Sequence, residues 1–375
     1  MKFNLSTKTK GIWSATGVVF TQGLEAILLP FLLFAIFMQS SKENHGISFA
    51  SVVMSIKEFI SLVIICSFLG IKVIKSSFKL ITKKKNFIFI LSGVIGTGLG
   101  NLFFITGIIL AGPAYGVILS AFYPVFAILF NKIFFNEKDN WIVKLGVVIT
   151  IIGGLLFVIL PVILKETNKN LSKNNLYIGM FCGLVSGLFW ALEGVLLKKA
   201  MQKNKKVTKK EIIVIRTFSV TIASFLLFLP ISMIIDTSIN KKFYNIFTEL
   251  YYKIFADKQA WIVWTVLILA GLNIVILRIL HTTAIEKIGQ KMTAIIDTNN
   301  FIIPSIFSVL LKNIMKVSPV QKVFADSQLD PWYLWFILIP LSIGLLLVMW
   351  FHGVEDPPNF KKIITEKIKN IKNKK

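Results

Sequence analysis

Residues 86–131 form a run of 46 positions without a single Lys, Arg, Asp or Glu. A helix needs about 20 apolar residues to cross the hydrocarbon core of a bilayer, so this run is long enough for two crossings. Gly112 and Pro113 stand near its middle and mark the turn between them. So long an uncharged apolar run excludes a soluble globular domain, and the sequence therefore predicts an integral membrane protein.

Ten apolar segments of this kind follow one another along the chain. Hydrophobic residues make up 55% of the sequence and charged residues only 16%, with a mean hydropathy of +0.74. The runs are continuous rather than alternating, which favours α-helices over the strands of a membrane barrel. We therefore expect an all-α membrane protein with ten transmembrane helices, near residues 11–38, 49–71, 87–110, 113–135, 141–164, 176–197, 211–235, 260–284, 292–311 and 332–352.

The lysines are distributed unevenly between the connections of these segments. If the N-terminus lies inside and the segments alternate, the inside connections hold 27 lysines and the outside ones 11. Basic residues favour the cytoplasmic side, so both termini are expected there. The abundance of Lys, Asn and Ile indicates an AT-rich genome, and a bacterial plasma membrane is the expected location. The net charge of +24 then predicts contact of the basic loops with anionic lipids, and no nucleic acid partner. The basic tail, 353–375, is either an amphipathic helix on the inner leaflet or disordered.

The first and sixth segments resemble each other. Residues 11–25 (GIWSATGVVFTQGLE) align with residues 179–193 (GMFCGLVSGLFWALE) at an offset of 168, and both stretches end in Leu-Glu. Residues 56–59 align more weakly with residues 215–218, at an offset of 159. Five crossings in each half is an odd number, so the halves must have opposite orientations. Inverted repeats of this kind are a transporter architecture, with the substrate site between them near the midplane.

Residues 111–137 (AGPAYGVILSAFYPVFAILFNKIFFNE) resemble the fourth helix of the drug/metabolite transporter superfamily, in its EamA-type branch. In that helix small residues lead to a mid-helix proline, here Pro124, and an acidic residue follows the helix, here Glu137. Residues 144–146 and 153–154 then resemble the start and the glycine patch of the fifth helix. The resemblance implies a membrane transporter of small metabolites, with amino acids and related compounds among the expected substrates.

The second half of the chain departs from the family pattern. Residues 297–300 (DTNN) stand where the family is usually apolar, nothing matches Glu137, and an insertion occupies residues 312–331. We expect a first EamA-like repeat at 1–170 and a divergent second repeat at 171–352. The departures bear on the substrate and the coupling ion, and not on the fold.

Several charged residues fall inside predicted spans, at a cost of about 2.5–3.5 kcal/mol each on insertion scales. Those away from the span ends are Glu25, Lys57, Glu58, Glu193, Arg216, Arg278 and Asp297. The repeat relates Glu25 and Lys57, in the outer half of the membrane, to Glu193 and Arg216 in the inner half. We interpret these as two ion pairs that act as alternating gates or form the charged walls of one cavity. In the alternative, Lys57 and Arg216 extend to the nearest membrane surface.

The two arginines are informative because the other 40 basic residues are lysines. A guanidinium group binds carboxylate or phosphate through a rigid fork and stays charged when buried. We predict that Arg278, Asp297 and Asn300 bind an anionic or zwitterionic metabolite, with Asp297 taking a proton or an ammonium group. The alternatives are a structural Arg278–Asp297 pair and an arginine at the inner membrane surface.

Two aromatic residues and two prolines complete the candidate site. Trp190 and Tyr123 are candidates for the cavity wall, although aromatic packing is the common role in a chain with 33 Phe. Pro124 and Pro304 are expected to kink the fourth and ninth helices and to leave a backbone carbonyl free. Kinks without a function are the alternative.

Several motifs that would indicate another class of protein are missing from the sequence. It has no GxxxxGK[ST], HExxH or GxSxG pattern and no cysteine cluster, so we expect no enzyme, no cofactor and no metal site. The predicted function is secondary active transport of a small polar metabolite by alternating access, with proton coupling as one option and a homodimer left open. A non-transporting membrane subunit or scaffold and a lipid-modifying enzyme are the rival interpretations.

Overall fold

The computed structural model describes residues 7–37, 46–111, 116, 119–120, 122–136, 141, 144–149, 152–153, 156, 173–240, 255–256, 260–297 and 343. The described residues are helical or lie in turns, and they contain no β-strand. The Asn300 and Pro304 predictions, the insertion 312–331 and the tail 353–375 fall outside them, as does nearly all of the tenth segment. The all-α class of the prediction is confirmed for the part that is described.

The helices carry the following labels, in chain order: α1 Thr7–Phe37, α2 Gly46–Leu69, α3 Ile71–Ile81, α4 Phe87–Ser92, α5 Gly100–Ala111, α6 Tyr123–Phe135, α7 Lys173–Lys203, α8 Lys209–Ala223, α9 Leu229–Asn240 and α10 Ala260–Asp297. A π-helical stretch, Gly93–Leu99, joins α4 to α5, and a second one, Ser224–Phe228, joins α8 to α9.

Six helical stretches within the described residues are long and apolar enough to cross a membrane. They are Thr7–Leu29, Ile47–Leu69, Lys84–Ala111, Asn175–Lys203, Lys209–Ile235 and Ala260–Ala294. These correspond to the predicted segments 1, 2, 3, 6, 7 and 8, and the shorter apolar helix α6 corresponds to part of segment 4. The chain is therefore a multi-pass membrane protein.

The connection between the second and third spans is a helix rather than the basic loop expected from the sequence. Gly70, with a φ of 76°, ends α2 and lets the chain turn directly into α3. The α3 helix rests on α8 through Phe78, whose ring packs edge-on against Phe218, and through Ser76, which donates a hydrogen bond to Glu211. Lysines on α3 alternate with isoleucine and valine, so its amphipathic pattern suits a membrane surface.

A glycine divides α10 where the sequence predicts the boundary between segments 8 and 9. Gly289 has φ 81° and ψ 161° and interrupts the helix, so residues after it run as a separate short helix to Asp297. This conformation is sparsely populated by residues with a Cβ. The break brings Asp297 back toward α1, where Ile296 packs on Ala15 and Val19.

Pro124 does not kink the middle of a continuous helix, so that prediction is corrected. It stands in the first turn of α6, after a turn at Phe122 that is closed by a hydrogen bond from Phe122 N–H to the Leu119 carbonyl. A proline in the first turn of a helix removes no intrahelical hydrogen bond, because those N–H groups have no helical partner.

Two helix pairs pack antiparallel at close range. A Cβ on Gly17 of α1 would lie 2.8 Å from Leu280 of α10, and further along α1 the carbonyl of Thr21 accepts a hydrogen bond from Asn273 at 2.7 Å. In the second pair, a Cβ on Gly100 of α5 would lie 2.5 Å from Trp190 of α7. Further along, a Cβ on Gly107 would lie 3.0 Å from the Gly179 carbonyl oxygen. The small residues let both pairs of backbones approach closely.

Several connections that the charge bias assigns to one side of the membrane meet at one end of the helix bundle. Asn204 donates a hydrogen bond to the Lys85 carbonyl, Lys198 donates one to Asn131, and Lys209 pairs with Glu286. The start of α1 lies here too, since a Cβ on Gly11 would meet Lys287 and Ile288. These segments therefore share one face of the molecule, as the alternating topology requires.

Candidate functional site

Polar and charged side chains from several helices surround a cavity of about 50 Å³. That volume is enough for about four water molecules. All of the spans except the second contribute to the wall, together with α6. The lining residues are Gln22, Glu25, Thr97, Asn101, Phe104, Tyr123, Trp190, Glu193, Arg216, Ile274, Leu277, Arg278, His281 and Asp297.

Glu193 and Arg216 form an ion pair on one wall of the cavity. Thr97 links them, because its hydroxyl donates to Glu193 Oε1 at 2.8 Å and accepts from Arg216 Nη2 at 3.3 Å. Thr97 lies in the π-helical stretch, and π-bulges occur often at functional sites. Neighbouring Gly96 makes room for the Glu193 side chain, with which a Cβ there would overlap.

Lys57 and Glu25 form the second ion pair that the repeat predicts. Lys57 is fully buried and Glu25 is 7% exposed, so the lysine does not extend to a surface. Arg216, at 1% exposed, does not extend to one either. Glu25 lines the cavity directly, whereas Lys57 stands behind it on α2 and holds the carboxylate in place.

Arg278 pairs with Glu58, and not with Asp297 as one interpretation of the sequence had it. Its Nη2 lies 2.5 Å from Glu58 Oε2, and its Nη1 donates to the hydroxyl of Thr217 at 2.7 Å. Both members of the pair are at most 1% exposed. Since Glu58 and Arg278 are 220 positions apart and have no counterpart in the repeat, the sequence offered no pairing signal.

Asp297 reaches the cavity from the end of α10 without a cation beside it among the described residues. Its Oδ2 accepts a hydrogen bond from Gln22 Nε2 at 3.0 Å, and its Oδ1 has no hydrogen-bond partner in the described part of the chain. The residue is 2% exposed. A buried carboxyl without a counter-ion is costly in its charged form, which makes it a functional candidate.

Aromatic side chains close the cavity on the α5–α7 side. Trp190 packs on Phe104 with ring centroids 5.1 Å apart, over the space that Gly100 leaves open. The Tyr123 hydroxyl accepts a hydrogen bond from Gln290 Nε2 at 3.0 Å, which ties α6 to the turn after Gly289. Trp190 and Tyr123 thus lie where the sequence interpretation put them, at the wall of a cavity.

Four further buried polar atoms lack hydrogen-bond partners among the described residues. Three belong to residues at the cavity or their ion-pair partners, Arg216 Nε, Arg278 Nε and Glu58 Oε1, and the fourth is Asn86 Oδ1, at the basic end of the bundle. Buried polar atoms are usually satisfied, and exceptions concentrate where a ligand or water belongs. The two arginines both line the cavity, so each retains a donor that its carboxylate partner does not use.

The structure brings together seven of the nine candidate binding residues: Glu25, Glu193, Arg216, Arg278, Asp297, Trp190 and Tyr123 all line the cavity. Lys57 stands one shell behind, and Asn300 lies outside the described residues. Sequence reasoning missed Gln22, Thr97 and Asn101. Gln22 carries a signal in retrospect, because the 168-residue offset aligns it with Trp190.

Residues 23–159 match the model of the EamA-like transporter family. The match confirms the family resemblance seen in the sequence over that stretch. No curated protein matches the chain in sequence. One solved structure, titled only "Crystal structure of protein", aligns with 91% of this chain and 99% of its own at 13% identity and a TM-score of 0.46, a likeness too weak to carry an argument.

Proposed function

We propose that this chain, whose residues 23–159 match the model of the EamA-like transporter family, is a secondary active transporter of a small polar metabolite. The observation that carries the proposal is the central cavity, where five charged side chains from four helices converge. Charges are rare inside membrane spans, and where they occur they mark substrate and ion pathways. Amino acids and related compounds are the substrates that we expect.

The proposed architecture is two inverted five-helix repeats, at 1–170 and 171–352, followed by the tail 353–375. Its support is the pairing of helices. The sequence alignment makes segments 1 and 6 equivalent. If the two halves correspond segment by segment, segments 3 and 8 are equivalent as well. Segment 1 (α1) packs antiparallel on segment 8 (α10), and segment 3 (α5) packs antiparallel on segment 6 (α7). An inverted repeat requires this exchange of partners.

Alternating access is the proposed mechanism, with Glu25–Lys57 and Glu193–Arg216 as the charged walls of one cavity. The cavity lining supports this version more than a pair of separated gates, because carboxylates from both pairs contact the same space. A volume of about 50 Å³ is small for a metabolite. Binding is therefore expected to require some separation of the helices around the cavity.

The proposed location is the plasma membrane, with both termini in the cytoplasm. The basic face at one end of the bundle supports this orientation. There α3 lies with Lys72, Lys75 and Lys79, next to Lys83–Lys85, and we propose that these lysines contact anionic lipid headgroups. A homodimer remains an open option, which rests on the sequence alone.

Thermal unfolding of the purified protein in detergent, across a metabolite panel, tests the proposal. The panel holds amino acids, amines, nucleosides, sugars and phosphorylated compounds. A ligand at 100 times its Kd should stabilise the protein by about 2.7 kcal/mol. Each hit is then measured in proteoliposomes as counterflow of the radiolabelled compound.

If Glu193 lines the substrate pathway, counterflow should be lost in Glu193→Gln while the protein still folds. Glu286→Gln is the matched control, because Glu286 is an exposed acid at the end of the bundle, away from the cavity. If no panel compound gives counterflow, and Glu193→Gln unfolds at the same temperature as the parent, the scaffold interpretation replaces this one.

A further inference from the structure

The charges around the cavity do not balance. The charged residues that line it and their ion-pair partners comprise four carboxylates and three cations. Lys57, Arg216 and Arg278 each pair with one glutamate, and Asp297 is the carboxylate that remains. The site therefore lacks one positive charge whenever Asp297 is ionised.

The rest of the chain offers little to complete the balance. The undescribed parts of segments 9 and 10, residues 298–311 and 332–351, contain neither Lys nor Arg. Lys144, on segment 5, is exposed. Lys291 is buried, but it does not line the cavity and has a contact of its own.

Every helix that lines the cavity except α5 presents titratable or charged groups to the space that Asp297 faces. They are Glu25 from α1, Tyr123 from α6, Glu193 from α7, Arg216 from α8, and Arg278 and His281 from α10. Of these, only the arginines carry a permanent positive charge, and each is bound to a glutamate. Trp190, Phe104 and Tyr123 add aromatic faces, which attract cations.

From this arrangement we infer that the substrate carries an ammonium group, which replaces a proton on Asp297. The inference rests on the proposed function and gives it a substrate class. The protonated Asp297 carboxyl meets the substrate ammonium, releases its proton to water, and forms a carboxylate–ammonium ion pair. One positive charge enters the site and one leaves, so the charge of the site is the same before and after.

An anionic substrate fits the site less well. To bind it, Arg216 or Arg278 would have to release its glutamate, and that buried carboxylate would lose its counter-ion, which is strongly unfavourable. A zwitterion offers its ammonium group to Asp297 but also brings a carboxylate for which no unpaired cation remains at the cavity among the described residues, and the unused Nε–H donors of the arginines offset that burial only in part. The site thus selects primary amines over carboxylic acids, with amino acids in between.

Three probes that share a branched isobutyl carbon unit test the inference: isobutylammonium, valine and isovalerate. Each is titrated into the detergent-solubilised protein, with unfolding temperature reporting binding and a pH indicator in weak buffer reporting protons. The variants are Asp297→Asn, Asp297→Glu and, to separate an imidazole from a carboxyl, His281→Gln. Glu286→Gln is the control, an acid-to-amide change on the same helix outside the cavity.

The expected result is binding of isobutylammonium, and weaker binding of valine, each with release of close to one proton. The apparent Kd should rise up to tenfold per unit fall in pH. Asp297→Asn should weaken this binding at least tenfold and abolish the pH dependence. Asp297→Glu should retain part of both, and His281→Gln and Glu286→Gln should leave the pH dependence intact.

Two results would overturn the inference. One is binding of isovalerate in preference to both amines, or binding of any probe unchanged by Asp297→Asn; transport then survives as the function with another substrate class. The other is that isobutylammonium, valine and every amine of the larger panel fail to bind. This must hold even at 10 times the concentration at which any other hit saturates the protein. The proposed function itself fails only when the counterflow measurement is silent for all classes.

Discussion

At the scale of single residues, the decisive feature of this molecule is its buried ion pairs. Each of the three pairs joins different helices, so it constrains helix position as well as charge. Desolvation offsets much of the attraction between two buried charges, and the pairs therefore add little net stability. Their effect is to specify which helices pack together, because removal of one member leaves the other charge buried without a partner.

Glu25 and Lys57 allow this to be measured. Lys57→Met and Glu25→Gln alone should each destabilise the protein by about 3–5 kcal/mol, since each leaves an uncompensated buried charge. The double variant should cost much less than the sum. Unfolding in detergent of all four proteins, as a double-mutant cycle, gives the coupling energy. Additive losses would mean that the two side chains do not interact.

Thr97 provides a second prediction at this scale. Thr97→Val keeps the shape but removes the hydroxyl that donates to Glu193 at 2.8 Å, and hydrogen bonds to charged groups contribute about 1.5–3 kcal/mol. Thr106 lies nine residues further along, on α5. Thr106→Val removes a hydroxyl that bonds only its own helix backbone. We expect unfolding to report a larger loss for Thr97→Val. Equal losses would show that Thr97 does not position Glu193.

The sequence revealed the residues of the site better than their partners. Charged residues inside apolar runs are conspicuous, and the repeat related Glu25 and Lys57 to Glu193 and Arg216. The Glu58–Arg278 pair depends on how α2 and α10 are packed, which no local pattern encodes. Thr97 and Gln22 look like ordinary helix residues until their neighbours across the bundle are known.

Glycine determines how the helices meet. The ridge of Gly179, Gly183 and Gly187 on α7 faces α5 and the residues around position 120, where a Cβ would contact backbone atoms at 2.6–3.0 Å. Glycines spaced four residues apart in a membrane helix favour close packing, and the structure identifies the partner. Pro124 was placed wrongly for a related reason, because a proline fits either a kink or a helix start, and the sequence alone does not separate the two.

Gly289 allows a prediction about backbone conformation rather than side-chain packing. A Cβ there would have nothing within 4 Å, so any effect of Gly289→Ala comes from its φ of 81° and ψ of 161°. Such strain costs about 1–3 kcal/mol. Asn136 gives a contrast at the end of α6, with φ 54° in the left-handed region. Asn136→Gly should be neutral or slightly stabilising, and comparable losses at both positions would rule out the strain explanation.

The whole molecule presents one basic face, and its side of the membrane can be measured. In a background with Cys66→Ala and Cys182→Ala, single cysteines at Lys75, Lys205 and Glu286 should be protected from a membrane-impermeant maleimide in intact cells. They should react after permeabilisation. A cysteine at Lys42, in the connection predicted to lie outside, is the control and should react at once. Labelling of the first three in intact cells would invert the topology.

The three closed ion pairs also bear on membrane voltage. Moving one net charge across a bilayer at 100 mV changes the free energy by about 2.3 kcal/mol. The fixed charges of the site cancel, and Asp297 is neutralised by either a proton or an ammonium group. The site therefore changes orientation without moving net charge. A monocation exchanged for one proton would then be transported at a rate set by the pH gradient, largely independent of how strongly the membrane is polarised.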